Sequence, residues 1–300
     1  MQNKKKLYIV IGTIITLLII GAVVYALMSK NKSETELETV TEEPAPVKKK
    51  RISAPQNTIP AEQRPVVTLK PFTKAGGRFV SIIVSQQSIP AERAEYEIVY
   101  NVIGASAVDA SGKTIKTPAG EEEGGMQAFA GELDLNNLPT KTENRFGTCS
   151  AGGACINNSV SGGMLVLNFD ASEKYGMTGK WTYFENGNKA SQTEDEAFTL
   201  ESSELAKAKD YIIMEVVGLP AGLEKAVATK PDGGKDNGFN LVAYQINFSN
   251  TLAATTAKAS FTQAGANDQL AVWDGVKWTE YKTDEELPLA DGNIYALIKE

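Results

Sequence analysis

The side chains with the most chemical capacity in this 300-residue chain are two cysteines, three tryptophans and a surplus of carboxylates, with no histidine at all. The missing imidazole removes Ser-His-Asp and Cys-His nucleophiles, most zinc hydrolases and cysteine transpeptidases, because each needs a base or ligand that titrates near neutrality. No glycine motif for phosphates or dinucleotides is present either. Neither a cofactor nor a metal centre is therefore expected. What remains for catalysis is a carboxylate pair. Glu121-Glu122-Glu123 is the densest acidic run, and consecutive acids between glycines read as solvated loop. The chain is expected to bind rather than to catalyse. The alternative is an anchored glycan-binding protein or carboxylate-based glycan hydrolase, and a hydrolase needs a cleft with two carboxylates roughly 5 to 10 Å apart.

Three constellations carry the binding chemistry. Cys149 and Cys155 flank Ser-Ala-Gly-Gly-Ala, a flexible segment that predicts a disulfide in an oxidising compartment. Two thiolates without histidine or further cysteine cannot complete a tetrahedral zinc site. Asp232, Asp236 and Asn237 in PDGGKDNG offer the oxygens that calcium takes, but the EF-hand spacing is absent and an ordinary turn accounts for the same letters. Trp273 and Trp278 flank an Asp-Gly turn signal. A two-residue turn there pairs Trp273 with Val276 and sets both indoles on one face, as a platform for a sugar ring or as the lid of a core.

These side chains must be positioned by β structure. Runs rich in β-branched and aromatic residues, separated by Gly, Asn and Asp, predict strands over 78–85, 95–103, 126–135, 163–169 and 180–184. A second series covers 211–217, 239–247, 254–262, 269–273, 277–282 and 293–298. In EYEIVYNVI, Tyr96, Ile98, Tyr100 and Val102 share a face while Glu95, Glu97 and Asn101 take the other, the mark of a half-buried strand. Asn186-Gly187 after WTYF predicts a hairpin turn. One short helical interval is expected at 202–209. The fold class expected is all-β: two tandem antiparallel β-sandwich (Ig-like) domains, 72–205 and 206–300, with no nucleic-acid partner because residues 72–300 hold 19 bases against 31 acids.

Ahead of them, LYIVIGTIITLLIIGAVVYALM at 7–28 is uncharged and long enough to span a bilayer as a helix. Lys4, Lys5 and Lys6 against Lys30 and Lys32 place residues 1–6 in the cytoplasm and the bulk of the chain outside it. Residues 29–71 are rich in proline and charge and predict a disordered stalk, in which Lys48-Lys49-Lys50-Arg51 is solvated. The expected whole is a single-pass protein of the cell membrane with an extracellular or periplasmic β region. Its expected partners are the membrane, through 7–28, and an envelope protein or glycan.

Overall fold

The computed structural model describes residues 59–108, 114–115, 125–149, 155–229 and 241–299. The expected span at 7–28, Glu121 to Glu123, and Asp232, Asp236 and Asn237 lie outside them. Among the described residues no helix is long and apolar enough to cross a membrane.

The expectation of an all-β fold is met. The first strands are β1 (Val66–Lys74), β2 (Gly77–Gln86), β3 (Ala91–Val108), β4 (Thr114–Ile115), β5 (Gly125–Asp134), β6 (Thr140–Lys141), β7 (Asn144–Arg145) and β8 (Gly147–Cys149). The central strands are β9 (Cys155–Ala171), β10 (Tyr175–Glu185), β11 (Ala190–Gln192), β12 (Phe198–Glu201) and β13 (Asp210–Glu215). The last are β14 (Ala243–Phe248), β15 (Thr255–Phe261), β16 (Gln269–Trp273), β17 (Trp278–Lys282), β18 (Leu287–Leu289) and β19 (Ile294–Ile298). The helical interval forms a 3-10 turn at Ser203–Lys207, with the Glu204 amide capped by the Ser202 hydroxyl.

An eleven-stranded antiparallel sheet runs β17-β16-β19-β14-β13-β10-β9-β3-β4, with β5 also on β3 and β8 on β9. The expected boundary at 205–206 falls between β10 and β13, which pair from Trp181↔Met214 to Glu185↔Asp210. The two halves therefore share one sheet. Two four-stranded sheets lie against it, β1-β2-β6 with β7, and β11-β12-β15-β18.

Alternate residues of a strand point to opposite faces, and β13 shows which sheet covers which face. Ile212 and Met214 join a core with Leu69, Val80, Ile82, Leu165 and Trp181, under β1 and β2. Tyr211 and Ile213 join a second core with Phe198, Leu200, Ala259 and Leu287, under β12, β15 and β18. The first face continues beyond β14 into a third cluster of Ala243, Ala271, Ile294 and Ala296, packed by Leu219, Leu223 and Val227.

Two local expectations are corrected. Residues 66–71, expected as part of a stalk, belong to β1, which begins at Val66, and Arg64 is already 2% exposed. Its Nε donates to the Ile59 carbonyl and its Nη1 to that of Val217, and burial lowers its pKa to about 10. Asn186-Gly187 is no hairpin either. Asn186 has φ 52°, as a tight turn needs, yet the two amides bond to Lys209 and Ala208 while the chain leaves the large sheet for β11.

Candidate functional site

The Trp273 and Trp278 indoles do share a face, by a different register from the one expected. They stand directly opposite each other on β16 and β17. The intervening Asp274 caps the loop, its carboxylate accepting from the Val276 and Lys277 amides at 2.9 Å, with Gly275 at φ 96°. Ring centroids are 5.6 Å apart at 51°. The rings therefore form no single plane. Both are half-buried against the third cluster, and the Trp278 Nε1 donates to the Pro220 carbonyl at 3.1 Å. Cys149 and Cys155 are joined in a disulfide, as cross-strand partners of β8 and β9.

A surface that the motif reading did not assemble is the second face of the large sheet at its β3 end. Residue rows across β5, β3 and β9 follow from the register: Glu132, Glu95 and Asn168; Ala130, Glu97 and Val166; Ala128, Val99 and Met164; Met126, Asn101 and Gly162. The opposite face of these strands carries Tyr96, Ile98, Tyr100 and Leu167, buried under the small sheet. The loop between β11 and β12 reaches β9 and β10, where the Glu194 amide donates to Thr182 Oγ1 and Ser161 Oγ donates to Glu194 Oε1. The face is unevenly exposed: Glu97 and Val166 are buried at 5% and 1%, while Glu95, Glu132, Met126 and Ala128 are exposed.

The chemistry of this face is divided. At one end Ile103 and Met126 are 64% and 63% exposed, beside Ala128, Val99 and Met164. At the other lies a cleft of about 490 Å³ lined by Arg93, Glu95, Glu132, Asn168, Asp170 and Lys174, among others. Arg93 reaches Asp170 at 2.9 Å and Glu132 at 3.6 Å, and Lys174 reaches Asp170 at 3.4 Å. The hydrogen bond from Arg93, followed by the one from Lys174, holds the Asp170 carboxyl below its ordinary range. A glycosidase acid needs the reverse, a carboxyl raised by apolar surroundings.

Raised carboxyls occur elsewhere, in a buried ionic cluster. Glu185 and Asp210 are directly opposite on β10 and β13, and Arg78 enters from β2 between them. Its Nη2 lies 2.9 Å from Glu185 Oε2 and its Nε 4.0 Å from Asp210 Oδ2. The Ser159 hydroxyl donates to Glu185 at 3.3 Å, as does the Val160 amide. Burial pushes both carboxyls up against the lowering effect of Arg78, and it pushes up the neighbouring Tyr183 phenol. Each carboxylate is met by the guanidinium, so the cluster fastens β2 to β9, β10 and β13.

Close approach also constrains the backbone of β9 beside β3. A Cβ at Gly163 would sit 1.9 Å from the Val99 carbonyl oxygen, so only glycine lets β9 lie against β3 at that register. Comparison of the chain with protein-family models, with curated proteins and with solved structures found no match.

Proposed function

We propose that this chain is a single-pass, membrane-anchored module whose β region lies outside the cytoplasm and works by binding, as an adhesion, envelope-structural or assembly component. The observation that carries the reading is the exposed apolar group at one end of β5 and β3, next to a charged cleft at the other. Ile103, Met126 and Ala128 are exposed together, and Arg93, Glu132, Asp170 and Lys174 line the cleft on the same strands and the turn after β9. Contiguous exposed apolar residues with a polar border are a recurring feature of interaction sites. The uncharged 22-residue stretch at 7–28 supports the anchor, and the disulfide supports an oxidising compartment.

The ligand class that suits this face is a protein or glycan of the cell envelope. The Trp273 and Trp278 pair is a secondary contact of the same kind, half-buried and tilted at 51° instead of a flat platform. Ala128, exposed in the middle of the apolar rows, tests the reading. With Ala128→Arg, the full chain extracted in mild detergent is expected to fall from a larger complex to the monomer on native electrophoresis, with its melting temperature within about 2 °C. An unchanged complex would count against the face, and a monomeric parent protein would count against assembly.

A further inference from the structure

A second surface, on the far side of the small sheet, is basic although residues 72–300 are acidic as a whole. The residues of β1 and β2 that point away from the core pair as Thr68↔Ile83, Lys70↔Ser81, Phe72↔Phe79 and Lys74↔Gly77. The neighbouring strands add Lys141 opposite Ile83 and Arg145 opposite Phe79. Phe72 and Phe79 stack at 5.2 Å, and each carries a cation above it: Lys141 Nζ is 5.6 Å from the Phe72 centroid and Arg145 Cζ is 5.5 Å from that of Phe79.

Lys74 pairs with Glu143 at 2.6 Å, and Lys70 pairs with Asp291. Lys141 and Arg145 make no ion pair among the described residues. Arg145 is instead held by Asn157 Oδ1 at 2.6 Å, and Lys141 is exposed. Lys70, Lys74, Lys141 and Arg145 against Glu143 and Asp291 leave a net excess of two positive charges around a half-exposed aromatic pair, in a region of the sequence that carries 12 more acids than bases.

We infer that this face docks on the anionic headgroups of the bilayer that holds the anchor, laying the domain down with β1 and β2 toward the membrane. The inference rests on the anchored reading above. Charge complementarity selects the surface, since its basic excess is clustered around two aromatic rings in a region that is acidic as a whole. The number of charges selects the occupant. Two cations at an anionic surface shift a docking equilibrium roughly thirtyfold, about 2 kcal/mol at 1.4 kcal/mol per decade. That is too little to gather a free polyanion from dilute solution, and ample for a domain already tethered beside the surface. β1 is also the first strand after the stalk, and aromatic rings beside lysine and arginine suit the headgroup zone.

The chain's three tryptophans lie at 181, 273 and 278, so a Phe72→Trp variant reports on this face against a fixed background. The full chain carrying it is reconstituted in vesicles of phosphatidylcholine alone or with one third phosphatidylglycerol, each containing a headgroup-nitroxide lipid as quencher. Subtracting the parent protein's emission isolates that of the introduced indole. The expected result is added quenching of this difference emission in the anionic vesicles only, lost at high salt and in a Lys141→Glu background. Equal quenching in neutral and anionic vesicles, or none in either, overturns docking. So does relief of quenching by a soluble anionic polysaccharide without any dependence on lipid charge, which would reassign the face to glycan. Failure of the chain to float with vesicles of either composition would instead remove the anchored reading.

Discussion

Replacing Arg78 with Met is expected to lower the unfolding free energy by about 3–5 kcal/mol at pH 7 and by much less at pH 4. The guanidinium side chain is 25% exposed and faces Glu185 and Asp210, which are 19% and 4% exposed, so its loss leaves two carboxylates opposed in a mostly dry site. Burial already raises both carboxyls above their ordinary values. The native state therefore binds more protons than the unfolded chain between the unfolded values, near 4, and the raised native ones. Their contribution to stability is complete below that window and declines as pH rises through it. Removing the cation raises both native values further, which widens the window and enlarges the loss toward neutrality. Urea midpoints at the two pH values measure this directly. Equal losses at both would mean that Arg78 acts through packing alone.

The second large effect concerns the strand with a core on each face. Ile212→Ala and Ile213→Ala remove neighbouring buried side chains that point to opposite sides of β13, and each is expected to cost about 2–5 kcal/mol. Because one sheet joins the two cores, either substitution should shift a single unfolding transition of the whole β region. Two independent sandwiches would respond differently, with Ile212→Ala destabilising one calorimetric transition and Ile213→Ala the other. Differential scanning calorimetry separates these outcomes.

Much of the strand pattern was legible because period-two alternation is a local property. The 17-residue β9 and 18-residue β3 contain the expected runs 163–169 and 95–103, and 269–273 matches β16 from end to end. β1 was hidden because VVTLKPFTK carries Pro71 and follows a proline-rich stretch, so its neighbourhood spoke for stalk while its pairing with β2 lay ahead in the sequence. Asn186-Gly187 has the backbone of a turn, but whether a turn returns the chain to the same sheet depends on the strand that follows, and β11 pairs with β12. Asp-Gly likewise predicted a turn near Trp273, and Asp274 lengthened it by capping two amides, which moved Trp278 into register with Trp273.

The functional surfaces were less legible for a related reason. Arg78, Ser159, Glu185 and Asp210 come from four strands, and the cleft joins Arg93 to Glu132 and Asp170 across three. No spacing in the sequence encodes such a meeting. The polar side of EYEIVYNVI was right in part: Glu95, Glu97 and Asn101 share a face, with Glu95 exposed, Asn101 half-buried and Glu97 buried. In sequence that alternation marks a solvated side, and only the neighbouring Ala128, Val99, Met164 and Met126 add apolar residues to it.

The most direct test of binding by these residues is photocrosslinking in intact cells. Full-length protein carrying p-benzoylphenylalanine at position 128 is irradiated beside a control with the same group at position 174, on the charged rim, and another at position 201, on β12. The account predicts a discrete crosslinked product from position 128, weaker or absent at position 174 and absent at position 201. No product from position 128, or the same products from all three positions, would contradict a binding role for the exposed apolar end of β5 and β3.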